Sequence, residues 1–102
     1  MNDINTTNKL TNFDDKSLLL VDDDNPFRER LARAMEKRGF IVSQAEGVKK
    51  GIENVKLKKP AFAVVDLRLG DGSGLEVVKE IQNSNMNSRI VMLTGYGNIP
   101  TA

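Results

Sequence analysis

The sequence has 102 residues, 39% hydrophobic and 5% aromatic, and its 15 basic and 14 acidic side chains leave a formal charge of +1. That length allows one hydrophobic core, and so small a net charge gives no field to draw the chain onto nucleic acid or an anionic membrane. With no Cys and no His, disulfides, thiolate metal sites, Cys nucleophiles and imidazole bases are excluded, and any chemistry falls to carboxylates, hydroxyls, Lys, Arg and backbone.

Residues 1–16 are rich in Asn, Thr and Asp with no apolar period, which predicts a disordered N-terminal tail preceding a domain over 17–102. The tail lacks the layout of a signal peptide, and no apolar run approaches the roughly 18 residues that span a bilayer, so a cytoplasmic protein without membrane association is expected. SLLLVD from Ser17 is a continuous apolar run ending in acids, the pattern of a strand buried on both faces of a parallel sheet. A helix follows, with Asn25 as its expected cap, Pro26 in its first turn and Gly39 just past its end. Phe27, Leu31, Ala34 and Met35 share its apolar face, while Arg28, Arg33 and Lys37 are expected to face solvent. FIVSQA from Phe40 predicts a second strand. Val48, Ile52 and Val55 at helical spacing predict a second helix, closed by Pro60 and weakened at Gly51 by about 1 kcal/mol relative to Ala.

A third strand is predicted over Ala61 to Leu67, apolar until Asp66. GDGSG then makes a turn in which Ser73 and Glu76 read as a capping box for a helix marked by Leu75, Val78 and Ile81. RIVMLT from Arg89 predicts a fourth strand. Four strands alternating with three helices on short connections predict an α/β fold, a doubly wound parallel sheet with right-handed crossovers.

In such a sheet, ligands bind at the carboxyl ends of the strands where strand order reverses. If the first strand lies at the reversal beside the third, Asp22, Asp23 and Asp66 converge there, with Thr94 arriving from the fourth. Three carboxylates at close range raise one another's pKa unless a cation is present. Mg2+, which prefers oxygen donors and is held by one or two carboxylates plus a phosphate, suits the set. A carboxylate nucleophile, a metal, a hydroxyl and backbone N–H groups are the inventory of phosphoryl transfer.

LLLVDDDNPFR, VVDLRL followed by DGSGLEV, and IVMLTGYG closely resemble, in order and spacing, the motifs of bacterial response-regulator receiver domains of two-component systems, from Ser17 to Ala102. VDDD, VVDLRL and TGYG together are similar to the RegA/PrrA/ActR redox-responsive branch. The resemblance implies a flavodoxin-like (CheY-like) fold in which Asp66 is the phosphoacceptor and Asp23 binds Mg2+ directly, with Asp22 beside it through water. It further implies that the backbone carbonyl of Arg68 is a metal ligand, that Thr94 binds a phosphoryl oxygen and shifts on phosphorylation, and that Gly95 keeps the pocket open. The implied donor is a sensor histidine kinase or a small acyl phosphate. Phosphorelay signalling with no classical enzyme activity is implied, and homodimerisation on phosphorylation is a further expectation. DNA binding, and with it transcription regulation, would belong to a C-terminal helix-turn-helix in sequence not shown.

The family's fifth strand, its terminal Lys and the aromatic before it have no counterpart as read, so a domain with four of five strands, truncated at its C-terminus, is expected. Its fourth strand would then be an exposed edge and its fold marginal. Asp24 reads as a helix-start acid. Counting from Gly70, GDGSG fails the dinucleotide fingerprint because Leu75 stands at the third glycine position. Lys49, Lys50, Lys56, Lys58 and Lys59 read as a solvated face without interleaved aromatics, and Tyr96 as a loop aromatic. Two other functions stay open: a carboxylate phosphohydrolase, whose acid/base Asp would stand where this chain has Arg68, and an interaction module that is not phosphorylated.

Overall fold

A computed structural model describes residues 15–94. The chain runs β1 (Ser17–Val21), α1 (Asn25–Lys37), β2 (Ile41–Ala45), α2 (Val48–Lys58), β3 (Phe62–Asp66), β4 (Arg68–Leu69), β5 (Gly72–Ser73), α3 (Gly74–Ser84) and β6 (Arg89–Leu93). Four parallel strands stand in the order β2-β1-β3-β6. This is the doubly wound α/β arrangement expected from the sequence, with β1 at the reversal and β3 beside it. The predicted tail falls outside the described residues except at Asp15 and Lys16.

Strand periodicity explains why β1 is apolar throughout. Leu19 and Val21 point to one face of the sheet, where they pack with Ala45, Val48, Val55, Ala63, Val65, Leu69, Val77, Val78 and Ile81 under α2 and α3. Leu18 and Leu20 point to the other, where they meet Ala32 of α1 and the half-buried Leu31, Met35, Phe40, Val42, Phe62 and Val64. On this second face the rings of Phe40 and Phe62 meet edge to face, centroids 5.3 Å apart and planes at 83°. β6 is an edge strand among the described residues, and its Val91 and Met92 are exposed.

Several local details depart from the sequence reading. The cap of α1 is Asp24, whose carboxylate accepts the Phe27 N–H, and Asn25 is already helical. The face that α1 buries is rotated from the expected one: Arg28 and Ala32 are buried, while Ala34 is exposed. Lys59, left-handed at φ 45°, ends α2 one residue before Pro60. Ser73 does cap α3, but its Oγ accepts from Leu75 N rather than from Glu76 N. Leu75 itself is exposed, and the buried stripe runs through Val77, Val78 and Ile81. Gly51 is a packing device as well as a weak helix former. A Cβ there would lie 3.1 Å from Val77 Cγ2, so the glycine lets α2 close on α3.

Candidate metal centre

The acids gather because β1 and β3 are adjacent and in register, Val21 opposite Val65. Asp66 is the last residue of β3, and Asp22 and Asp23 follow the last residue of β1. One carboxylate oxygen from each of Asp22, Asp23 and Asp66 lies within 4.8 Å of the others. Asp22 and Asp66 are each 7% exposed, so two of the three are largely withdrawn from water while Asp23 opens outward.

Local hydrogen bonds aim these side chains. Asp22 Oδ1 accepts the Asp24 N–H at 2.8 Å, a turn that also delivers Asp24 to its capping position. Asp66 Oδ1 accepts the Arg68 N–H at 3.0 Å, folding the chain after β3 back over the carboxylate. The Asp22 peptide is fixed at both ends: its N–H donates to Ala45 O at 3.1 Å, and its carbonyl accepts from Arg28 Nη1 at 2.6 Å. Arg28, 8% exposed, also donates from Nε to Gln44 Oε1 at 2.8 Å, so one guanidinium from α1 joins the ends of β1 and β2.

Burial pushes the Asp22 carboxyl above its ordinary value; the Asp24 N–H opposes that shift, and repulsion from Asp66, Asp23 and Asp24 adds to it. A hard divalent cation relieves both causes, and an all-oxygen donor set suits one. The acids therefore fit a divalent ion.

Sequence reasoning brought Asp22, Asp23 and Asp66 together correctly. Thr94 directly follows β6, one residue past the Leu93 that pairs with Asp66, and is exposed. Arg68 begins β4, paired with Ser73. Gly95 and Tyr96 lie outside the described residues.

Three contributors were not foreseen. Arg28 is buried where its charge predicts solvent, and its place at the border of the apolar stripe, one turn after Asp24, is the available signal. Gly74 N donates to Leu67 O at 3.0 Å, and a Cβ on Gly74 would lie 2.9 Å from the Asp66 carbonyl carbon, so only glycine seats α3 on the main chain of Asp66. Asp71 takes the Val48 and Lys49 N–H groups, which hold its carboxyl below its ordinary value. No sequence signal reveals a helix capped from 23 residues away.

Residues 18–102 match the response regulator receiver domain family. The chain belongs to that family. Over 88 residues the receiver domain is 59% identical to the acid tolerance regulatory protein ActR of Sinorhizobium medicae, covering 86% of this chain and 45% of that protein. It is 60% identical to the photosynthetic apparatus regulatory protein RegA of Rhodobacter capsulatus, covering 86% and 48%. The chain thus spans a little under half the length of these relatives.

Among solved structures, the receiver domain is similar to a Burkholderia pseudomallei response regulator with a phosphorylated aspartic acid, calcium ion and citrate. That match has a TM-score of 0.76 and 38% identity over 83% of this chain and 50% of that one. It is also similar to the response regulator TrrA of Thermotoga maritima in complex with Mg2+ and BeF, with a TM-score of 0.72 and 28% identity over 80% and 71%. The sheet of four parallel strands with three helices is the part of the flavodoxin-like fold seen in these neighbours. No helix of the described residues is long and apolar enough to cross a membrane.

Proposed function

We propose that this receiver domain accepts a phosphoryl group on Asp66 in a Mg2+-dependent reaction, with a sensor histidine kinase or a small acyl phosphate as donor. The observation that carries the reading is the convergence of Asp22, Asp23 and Asp66 at the switch point of the sheet. An Asp66 carboxylate oxygen attacks phosphorus, the bond from phosphorus to the donor's imidazole nitrogen or acyl oxygen breaks, and an aspartyl phosphate forms. The leaving imidazole takes its proton from solvent. Asp23 and Asp66 would hold the ion, with Asp22 beside them, and the Arg68 carbonyl would complete the protein's share. The ion, when bound, neutralises charge on the acids and on the phosphoryl oxygens. Thr94 meets a phosphoryl oxygen and, with the small Gly95 next to it, couples the new charge to β6.

The domain is a signalling module, and any catalysis is confined to its own phosphorylation and dephosphorylation. We assign it to the cytoplasm and to control of transcription in a phosphorelay, with homodimerisation on phosphorylation and DNA binding by a helix-turn-helix outside these 102 residues. Labelling from acetyl phosphate with and without Mg2+ tests the core of the reading. Incorporation should require the ion and vanish in Asp66→Asn; equal labelling of that variant would overturn the assignment.

A further inference from the structure

β4 and β5 form a small antiparallel hairpin, Arg68 opposite Ser73 and Leu69 opposite Gly72, so that Gly70 and Asp71 make its tip. Its base is secured by Leu69, 8% exposed in the core. Its tip is secured by Asp71: Oδ1 accepts from Val48 N at 2.8 Å and Oδ2 from Lys49 N at 3.2 Å. These are N–H groups of the first turn of α2, whose cap residue Gly47 has no side chain to offer them.

Gly47 bears the imprint of this arrangement. Its backbone, φ −166° and ψ −173°, is extended and open to any residue. Yet a Cβ at Gly47 would lie 2.7 Å from Asp71 Oδ1, and the three atoms nearest to it all belong to the Asp71 carboxylate. On its other side the hairpin tip faces Asp23. A Cβ on Gly70 would lie 3.6 Å from Asp23 Oδ2, and Asp23, Gly47, Lys49, Gly70 and Asp71 border one open cleft of about 330 Å³.

We propose that Asp71 is a positioning residue for the metal centre, tying the hairpin tip to the start of α2 and so holding the Arg68–Asp71 main chain in place beside Asp23 and Asp66. The proposal rests on the reading of the three acids as a divalent-ion site. A hairpin with two residues per strand cannot hold its shape without support. Untied, it must be ordered when the ion binds, and the entropy of that ordering is subtracted from affinity.

Magnesium titration of the full 102-residue chain by calorimetry, with amide hydrogen exchange at Val48 and Lys49, tests this. Asp71→Ala should weaken Mg2+ binding roughly five- to tenfold, and Asp71→Asn by less, since one acceptor oxygen survives. Gly47→Ala, which displaces the carboxylate without altering it, should reproduce the Asp71→Ala loss, and the double variant should be no weaker than either single one. Faster exchange at Val48 and Lys49 with unchanged Mg2+ affinity would make Asp71 merely structural and overturn the proposal. Additive losses in the double variant would overturn it too. Should Asp71→Ala fail to fold, Asp71→Asn and Gly47→Ala decide by the same readouts. A native chain that binds no Mg2+ would instead remove the metal-site reading, and the proposal with it.

Discussion

The two faces of the sheet are built to different standards. Under α2 and α3, eleven residues form one buried cluster that includes Val55, Val65, Val77 and Ile81 at 0% exposure. Under α1, three residues are buried, and the rest of the contact among the described residues is half-exposed, from Leu31 and Met35 to Phe62 and Val64. The cluster of Asp22, Asp23 and Asp66 lies on the seam between them. Arg28 reaches it from the thinly packed side, and Gly74 with the Asp71 hairpin from the dense side. One flank of the site is therefore anchored in a close-packed core, and the other depends on a few polar contacts.

Deleting side chains on each face should expose the contrast. Ile81→Ala, in the dense cluster, should cost about 3–4 kcal/mol in urea denaturation, because the cavity it leaves has fully buried walls. Arg28→Met removes both hydrogen bonds and leaves the Asp22 carbonyl without its cation. A loss of about 2 kcal/mol is expected, along with weaker Mg2+ binding, whereas equal binding would show that the guanidinium does not shape the acid turn. Leu31→Ala, half-buried on the α1 face, should cost only about 1 kcal/mol. If Leu31→Ala proved as damaging as Ile81→Ala, the asymmetry would be one of exposure and not of energy.

The smallest effect should have the opposite sign. The carboxyl of Asp22 is raised in the fold, so its ionised form destabilises the domain. That penalty is complete above the folded-state pKa and disappears as pH falls below the ordinary carboxylate value. Asp22→Asn should thus raise the melting temperature by a few degrees at pH 7 in chelator, and the gain should shrink towards pH 4. Saturating Mg2+ should stabilise the native domain more than the variant and narrow or reverse their order. Asp71 behaves the other way: its lowered carboxyl stabilises the fold above the ordinary value, and that contribution is lost as acid protonates it.

What the sequence made legible follows from the range of the interactions concerned. The apolar runs of β1 and β3 report burial on two faces, and the position of the acids at their ends reports the site, because strand order in a wound sheet brings those ends together. The facing of α1 is not legible from charge, because a long side chain such as Arg28 can lie along an apolar stripe and spend its donors on backbone beyond it. Gly74 and Asp71 act on atoms remote in sequence or on another element's main chain. Neither periodicity nor turn chemistry encodes such a contact.

The contact between Gly47 and Asp71 has a consequence for how this domain can vary. A side chain at 47 and a carboxylate at 71 compete for one volume, although the backbone at 47 accepts any residue. Drift at the two positions is therefore coupled: a side chain gained at 47 obliges the carboxylate at 71 to move off the start of α2. A Ser, Thr or Asn at 47 would restore locally, as a cap of α2, what the hairpin supplies from a distance, and so would release 71 from that duty.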